Sequence, residues 1–260
     1  MSDDDVRVGV DIGGTFTDIV SLRDGEVHVT KTPSTPSDPE KGVVNGLEKS
    51  AKNAGFAFDD VGFLSHGTTV ATNAVLEGTW ADTALVTTEG FRDVLEIGRQ
   101  DRPDIYDFDA EKPAPIVPRD RRFEVPERLD ERGRVLQDLD EDAVRDLART
   151  LDDRGVDSVA ISLLFAFEDD SHERRVAELL DAELDASLSL SSDVLPEIRE
   201  YERTLTTSLN AALKPVMDDY IGNLEGHVRD HDIGAELKIL QSNGGLITAD
   251  AARTRPVNTL

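Results

Sequence analysis

Cysteine is absent from this sequence of 260 residues. That absence excludes disulfide bonds, thiolate nucleophiles and thiolate metal ligands. Long apolar runs are missing too, because no stretch reaches the roughly 18 residues that a membrane-spanning helix needs. The first residues are acidic and lack the basic and apolar segments of a secretory signal. We therefore expect a cytoplasmic protein without a membrane anchor.

Positive charge is scarce, because 28 Lys and Arg stand against 54 Asp and Glu and give a formal net charge of −26. A nucleic-acid duplex or an anionic membrane would be repelled by such a chain. Apolar residues still make up 38% of the sequence. Because they recur in periodic runs, we expect a folded protein rather than a disordered one.

Lysine is the rarer of the two strong bases, with seven against 21 arginines, and acidic residues fill stretches such as Asp138–Asp142. We interpret this surface as adapted to high salt, as in a halophile, where counterions screen the self-repulsion. An acidic protein of an ordinary cytosol is the alternative. The first interpretation predicts that the chain loses structure at low ionic strength.

The opening segment predicts three consecutive antiparallel strands. Apolar runs at 6–11 and 16–22 flank a Gly-Gly break, and Asp24-Gly25 is a hairpin-turn signal before the stretch 27–31. Helix and strand patterns then alternate down to an apolar run at 237–240. This alternation predicts a mixed α/β sheet covered by helices.

The middle of the chain gives more specific expectations. Phe123–Leu129 and Arg134–Leu139 predict a hairpin around a Glu-Arg-Gly turn, and Ser158–Phe165 predicts a buried strand. The segment 101–122 is rich in proline and has little periodicity, so we expect it to be irregular. A long helix is expected to begin near Glu197.

The motif Asp11-Ile12-Gly13-Gly14-Thr15-Phe16-Thr17-Asp18 lies between the first two predicted strands. Glycines at such a bend allow successive backbone amides to converge on one anion. The hydroxyls of Thr15 and Thr17 would add donors for phosphoryl oxygens. The motif therefore predicts a phosphate-binding loop formed by Gly13, Gly14, Thr15 and Thr17.

Asp11 ends the first strand of this motif and would point into the same cleft. A carboxylate there is able to hold a hydrated Mg²⁺ or Mn²⁺ ion, which needs few protein ligands. The Walker loop and the dinucleotide fingerprint do not apply, because no helix follows the glycines. An ordinary Gly-Gly hairpin is the alternative. A third strand after the loop favours the first phosphate loop of the actin/Hsp70/sugar-kinase fold.

A second motif, His66-Gly67-Thr68-Thr69, follows a predicted buried strand and precedes a helix. Thr68 or Thr69 would cap that helix, whose N-terminus favours a negative group. His66 and Thr68 would then face a phosphate or an activated amide as catalytic residues. A simple helix cap with a packed histidine is the alternative.

Arginines after Gly90 form a third candidate group. A buried guanidinium fork suits a carboxylate or ureido substrate. In so acidic a chain, an arginine such as Arg92 is equally suited to a structural ion pair. We therefore expect only Arg99 to have a functional, catalytic role.

These segments closely resemble the hydantoinase A/5-oxoprolinase family. The matching stretches are Val10–Asp18, Lys31–Pro36, His66–Thr69, Thr88–Gln100, Arg199–Thr204 and Gln241–Gly245. The resemblance implies a ribonuclease H-like mixed sheet with flanking helices and an incomplete second lobe. It also implies ATP-dependent opening of a cyclic amide such as hydantoin, N-methylhydantoin or 5-oxoproline, with phosphorylation of the amide oxygen.

The resemblance further implies a domain boundary and partners. Residues 1–196 would form the N-terminal domain with the first phosphate loop, and 197–260 would begin the hydantoinase A catalytic domain. Because the second phosphate loop of the family is not found in 1–260, we expect a fragment that needs the second lobe, a hydantoinase B-type subunit, or both. A ketone carboxylase subunit, a small-molecule kinase and an inactive binding or assembly module are the alternatives.

Overall fold

The computed structural model describes residues 5–35, 39–101, 104, 106–107, 109–110 and 112–260. Two compact units divide the chain: unit 1 comprises Met1–Thr79 with Val216–Leu260, and unit 2 comprises Trp80–Pro215. The boundary at 196/197 was expected for family domains rather than for compact units, and it stays a prediction. No helix among the described residues is both long and apolar enough to span a membrane.

Unit 1 contains a six-stranded sheet. Its strands are β1 (Val6–Ile12), β2 (Phe16–Arg23), β3 (Glu26–Pro33), β4 (Val61–Gly67), β11 (Leu237–Leu240) and β12 (Leu246–Thr248). They lie in the order β12-β11-β4-β1-β2-β3, and the predicted antiparallel trio β1-β2-β3 is confirmed. Asp24 and Gly25 both have positive φ, 50° and 80°, as a type I′ turn between twisted strands requires.

Helices α1 (Pro39–Ala54), α2 (Val70–Glu77) and α8 (Ala249–Thr254) also belong to unit 1, together with the C-terminal half of α7 (Glu200–Asp230). Helix α1 lies very close to the sheet at Gly46. A Cβ atom added there would come within 2.3 Å of Ile19 Cδ1, so a larger residue would push the helix away. Ile19 and Leu47 are fully buried in this interface.

Unit 2 contains a parallel four-stranded sheet. Its strands are β5 (Thr83–Thr88), β6 (Arg122–Val125), β9 (Ser158–Ser162) and β10 (Ser187–Leu190), and a small hairpin joins β7 (Arg128–Leu129) to β8 (Val135–Gln137). The sheet order is β10-β9-β5-β6. The helices of this unit are α3 (Val94–Ile97), α4 (Glu141–Asp153), α5 (Ser171–Asp181), α6 (Ser191–Val194) and the first half of α7. Every residue of β5 and β9 is buried, as is typical of parallel strands covered on both faces.

Two strand predictions in unit 2 were wrong in part. Arg122–Val125 pairs in parallel with β5 instead of forming the first half of a long hairpin. Val125 and Arg122 are buried there, whereas the predicted hairpin around the Glu-Arg-Gly turn forms only between Arg128–Leu129 and Val135–Gln137. The strand predicted at Ser158–Phe165 ends at Ser162, because the amide of Leu163 donates to Glu173 Oε1 at 2.9 Å rather than to a neighbouring strand.

Candidate functional site

The loop between β1 and β2 presents two unused amides. Gly13 N–H donates to Phe16 O at 2.9 Å, so this amide closes the bend. Ser34 N–H donates to Thr15 O at 3.0 Å and fixes the loop against the segment after β3. The amides of Gly14 and Thr15 have no acceptor among the described residues. The structure therefore leaves Gly14 and Thr15, but not Gly13, with a free amide.

Two hydrogen-bonded hydroxyls, those of Thr17 and Ser34, hold this loop in place. Ser34 Oγ donates to Gly13 O at 2.6 Å, and Thr17 Oγ1 lies 3.1 Å from Ser34 Oγ. Because Ser34 has a single hydroxyl proton and a carbonyl only accepts, Thr17 must be the donor to Ser34. Thr17 is fully buried, and its donor is already used. Ser34 was not among the predicted site residues, although it lies in a segment that resembles the family.

Asp11 is exposed at the carboxyl end of β1, and it has no hydrogen-bond partner among the described residues. Gly67 lies beside it on β4, and a Cβ atom added at Gly67 would come within 2.9 Å of Asp11 Oδ1. Asp18 is the cross-strand neighbour of Asp11 and pairs with Lys31 at 3.1 Å. Asp11 is thus the carboxylate of this pair that remains free for a cation.

His66 is buried on the opposite side of the sheet from Asp11. Its Nε2 atom lies 2.6 Å from the hydroxyl of Tyr220 in α7, and its Nδ1 atom has no hydrogen bond of good geometry within the described residues. Burial lowers the pKa of His66 to about 4, and the nearby backbone of Val10 opposes this shift. The imidazole is therefore neutral near pH 7, and it contacts a helix rather than the glycine loop.

A cavity of about 400 Å³ adjoins the glycine loop. It is lined by Ile12, Gly13, Gly14, Ser34, Thr35, Thr68, Thr69, Val70, Asn73, Ala74, Glu77, Thr79 and Val216. Thr68 borders it while its Oγ1 atom accepts from Val70 N at 3.2 Å. Asp11, Thr15, Thr17 and His66 do not line this cavity.

A broader depression of about 530 Å³ lies near the end of α7 and is lined by Glu225, Val228, Arg229, Asp232, Ile233 and Gly234. None of the predicted site residues borders it. We therefore give it no part in the chemistry, although it is larger than the cavity at the glycine loop.

Arg99 lies in unit 2, and it is exposed rather than buried as the fork hypothesis required. Its Nε atom donates to Glu202 Oε1 at 2.7 Å, and 64% of its side chain is exposed. The loop that holds it is unusual, because Gly98 and Gln100 have positive φ of 56° and 61°. The ring of Tyr201 lies 3.6 Å from the position of a Cβ atom on Gly98. The catalytic role of Arg99 stays a prediction.

The described residues contain no group of three or more His, Asp or Glu side chains that would hold a metal ion. Asp11 is the candidate ligand at the glycine loop, because its carboxylate has no hydrogen-bond partner among the described residues. A hydrated Mg²⁺ ion, which keeps several waters, fits such a sparse set of carboxylates better than Zn²⁺ does.

Comparison with known proteins places this geometry in a family. The family profile of the hydantoinase/oxoprolinase N-terminal region matches residues 7–184, and the hydantoinase/oxoprolinase profile matches residues 203–260. Caprolactamase subunit alpha of Pseudomonas jessenii is 36% identical over 268 residues, which cover 100% of this chain and 38% of that protein. The gamma subunit of acetophenone carboxylase from Aromatoleum aromaticum is 34% identical over 95% of this chain and 36% of that protein.

A solved structure is also similar. The crystal structure of ATP-dependent caprolactamase from Pseudomonas jessenii matches with a TM-score of 0.87 and 37% identity, over 98% of this chain and 38% of that chain. The predicted fold class, a mixed α/β sheet with flanking helices of the actin-like ATPase type, is confirmed. The chain spans 36–38% of the length of these two curated relatives.

Proposed function

This chain belongs to the hydantoinase/oxoprolinase family, and on that premise we propose that it supplies the phosphate-binding part of an ATP-dependent enzyme that opens cyclic amides. The observation that carries the proposal is the free pair of amides at Gly14 and Thr15 beside the free carboxylate of Asp11. Amides with no acceptor of their own suit an anion, and a neighbouring carboxylate suits the cation that accompanies a nucleotide.

The loop residues have distinct roles in this proposal. The amides of Gly14 and Thr15 and the hydroxyl of Thr15 donate to phosphoryl oxygens. Gly13 and Thr17 belong to the cofactor site as the residues that hold the loop in shape, because their own donors are already used. Asp11 would hold the Mg²⁺ or Mn²⁺ ion that accompanies the nucleotide, and that ion would supply positive charge next to the phosphates.

When bound, ATP supplies the phosphoryl group that converts a poor amide electrophile into a reactive one. The protein then needs chiefly to position the reactants and to neutralise charge. Thr68 borders the cavity next to the loop, where Val70, Ala74 and Val216 offer apolar contact. We propose that this cavity accepts the aliphatic part of a cyclic amide.

His66 and Arg99 complete the set of proposed site residues. His66 acts as a positioning residue, because its bond to Tyr220 connects β4 to α7 two residues before Thr68. The two terminal nitrogens of Arg99 have no partner among the described residues, so the guanidinium is able to bind a carboxylate or ureido group.

We also propose a cytoplasmic enzyme whose activity depends on further polypeptide, either the second lobe or a hydantoinase B-type subunit. The name of one relative, caprolactamase subunit alpha, supports a multi-subunit assembly and a lactam substrate. A carboxylase subunit is the second candidate, because a gamma subunit of acetophenone carboxylase is 34% identical. Bicarbonate-dependent ATP hydrolysis with a ketone would favour this second candidate.

The test is ATP hydrolysis by the assembled enzyme with caprolactam, 5-oxoproline or hydantoin. We expect Asp11→Ala to reduce amide-dependent turnover by at least about 100-fold, while the circular dichroism spectrum stays unchanged. Asp142→Ala is the matched control, because this carboxylate of α4 is 95% exposed and lies in unit 2. Full activity of Asp11→Ala would remove Asp11 from the mechanism.

A further inference from the structure

Helix α2 forms one wall of the cavity next to the glycine loop. Its residues Val70, Asn73, Ala74 and Glu77 all line that cavity, because a spacing of three and four residues places side chains on the same face of a helix. Val70 and Ala74 are apolar, whereas Asn73 and Glu77 are polar. This wall therefore offers an apolar surface and hydrogen-bonding groups side by side.

Asn73 has hydrogen-bonding capacity that the fold does not use. Its Nδ2 atom donates to Thr69 Oγ1 at 3.4 Å, which is long for such a hydrogen bond. This contact uses one of the two Nδ2 hydrogens, and the Oδ1 atom has no partner among the described residues. Because Asn73 is exposed and lines the cavity, its carboxamide offers both a donor and an acceptor to a ligand.

A carboxamide with both groups available matches a cyclic amide. A small ring holds its amide cis, so the N–H and the C=O lie on the same side, where Asn73 is able to accept from one and donate to the other. An acyclic secondary amide is almost always trans and points the two groups in opposite directions. A ketone has no N–H at all. Either of these two ligands would make only one of the two bonds.

The other residues of the cavity favour a neutral ring. The cavity of about 400 Å³ lies within the range of roughly 300–1,000 Å³ that is usual for small-molecule sites. None of the described residues that line it is a lysine, an arginine or a histidine, and Glu77 adds a carboxylate. A carboxylate on the ring would therefore meet no opposite charge there. The methylene groups of a neutral ring would contact Val70, Ala74 and Val216.

We propose that Asn73 is the specificity residue of this cavity, where its carboxamide pairs with the N–H and the C=O of a neutral cyclic amide such as a lactam or a hydantoin. Gly14, whose amide is free, lines the same cavity, so the ring lies next to the proposed phosphate site. This inference rests on the proposed function and names the residue that selects its substrate.

NMR titration of the ¹⁵N-labelled chain tests the proposal with three matched ligands. Caprolactam is the cyclic amide, N-methylcaprolactam lacks its N–H, and N-ethylbutanamide is an acyclic amide with the same numbers of carbon, nitrogen and oxygen atoms as caprolactam. Each is added to the unmodified chain, to Asn73→Ala and to Asn53→Ala. Asn53 is the matched control, because its Nδ2 atom donates to Thr30 Oγ1 at 3.3 Å but it does not line the cavity.

We expect caprolactam to shift the backbone amides of Val70 and Ala74 and the side-chain NH₂ signals that disappear in Asn73→Ala. The Kd for caprolactam should rise about tenfold in Asn73→Ala, because two neutral hydrogen bonds are lost, and should stay unchanged in Asn53→Ala. The other two ligands should bind the unmodified chain about tenfold more weakly than caprolactam does. This preference should disappear in Asn73→Ala, because it depends on the pairing with the carboxamide.

The neutrality of the ring is tested with two further ligands. Pyrrolidinone and 5-oxoproline have the same ring, and only 5-oxoproline carries a carboxylate. We expect pyrrolidinone to bind the unmodified chain more tightly, and we expect Glu77→Gln to reduce this preference because it removes a like charge.

Three outcomes would overturn the proposal. If Val70 and Ala74 shift but caprolactam binds the unmodified chain and Asn73→Ala equally, the cavity accepts the ring without Asn73, and the proposed function still stands. Binding of 5-oxoproline as tight as that of pyrrolidinone would contradict a neutral ring. If caprolactam shifts neither Val70 nor Ala74, the proposed place of the ring is also wrong, whereas titration with Mg-ATP tests the phosphate site at Gly14 and Thr15 separately.

Discussion

The glycine loop of unit 1 and the carboxyl end of the parallel sheet in unit 2 use their polar groups in opposite ways. In unit 2, buried Glu173 accepts from the amides of Leu163 and Ser192 and from the hydroxyl of Ser191. In unit 1, by contrast, two amides and the carboxylate of Asp11 have no partner among the described residues. Polar groups whose bonds are complete stabilise a fold, whereas groups left free at a bend are available to a ligand.

A second buried carboxylate in unit 2 also has hydrogen-bond partners within the protein. Glu127 accepts from the hydroxyl of Thr88 and from Nδ1 of His172 at 2.8 Å. Thr88 Oγ1 in turn accepts from the amide of Leu164 at 2.9 Å. Both carboxylates lie where ligands often bind in α/β sheets, at the carboxyl ends of strands, yet their hydrogen bonds stay inside the protein.

Low salt should cause the largest loss of structure, because charge repulsion acts on both units. Both the completed hydrogen-bond network of unit 2 and the free groups of unit 1 would then be lost. With a net charge of −26, the chain repels itself once counterions are diluted. We expect circular dichroism to show loss of structure between molar and millimolar salt. An unchanged spectrum over that range would contradict the interpretation of the surface as halophilic.

Removal of the Glu173 carboxylate should cause the next largest loss of stability. Glu173→Ala leaves three donors without an acceptor, two of them buried, so we expect the free energy of unfolding to fall by about 3 kcal/mol. Glu178→Ala is the control, because this residue of the same helix is 66% exposed and only pairs with Arg175. Equal denaturation midpoints for the two variants would mean that the buried network contributes little.

Acidification should weaken unit 1 through His66. Because the folded-state pKa is lowered to about 4 from about 6.5 in the unfolded chain, the unfolded state binds the proton more readily. Stability is then fully present above pH 6.5 and falls by about 3 kcal/mol as the pH drops towards 4. Urea denaturation across this range should show a smaller pH dependence for His66→Gln than for the unmodified chain. An identical pH dependence would contradict this view of His66.

Thr15 and Thr17 are expected to have different roles, Thr15 in phosphate binding and Thr17 in holding the loop in shape. Their substitutions should have the smallest effects on stability. Thr17→Val breaks the bond to Ser34 and should cost about 1 kcal/mol of stability. Thr15→Val changes an exposed side chain, so stability should stay within about 0.5 kcal/mol while phosphate affinity falls. Thermal denaturation and calorimetry with Mg-ATP measure the two effects. The same outcome for both variants would contradict the assignment of different roles.

Much of the fold was predictable because its signals are local. The antiparallel trio follows from two short turns, and α4 begins after its capping residue Asp140, whose carboxylate accepts from Ala143 N at 3.0 Å. The strand Arg122–Val125 was assigned to the wrong partner, because its choice of β5 depends on burial far along the chain. Local patterns do not specify which of two possible neighbours buries a strand better.

The site was predictable to a lesser extent. The glycine loop and the exposed carboxylate of Asp11 follow from the motif itself. The motif does not show that the Thr17 hydroxyl already donates a hydrogen bond, because its partner Ser34 is 17 positions away. The burial of His66 against Tyr220 depends on a partner 154 positions away. A motif indicates which groups are able to bind a ligand, but it does not show which of them already have partners in the fold.

The central claim is that free amides of the first loop bind phosphate, and amide NMR tests it most directly. A ¹H–¹⁵N spectrum of the chain, titrated with Mg-ATP or magnesium pyrophosphate, reports on each amide separately. We predict the largest shifts at Gly14 and Thr15, with a smaller shift at Gly13, whose amide already donates to Phe16 O. Saturating ligand that leaves Gly14 and Thr15 unmoved would contradict the account.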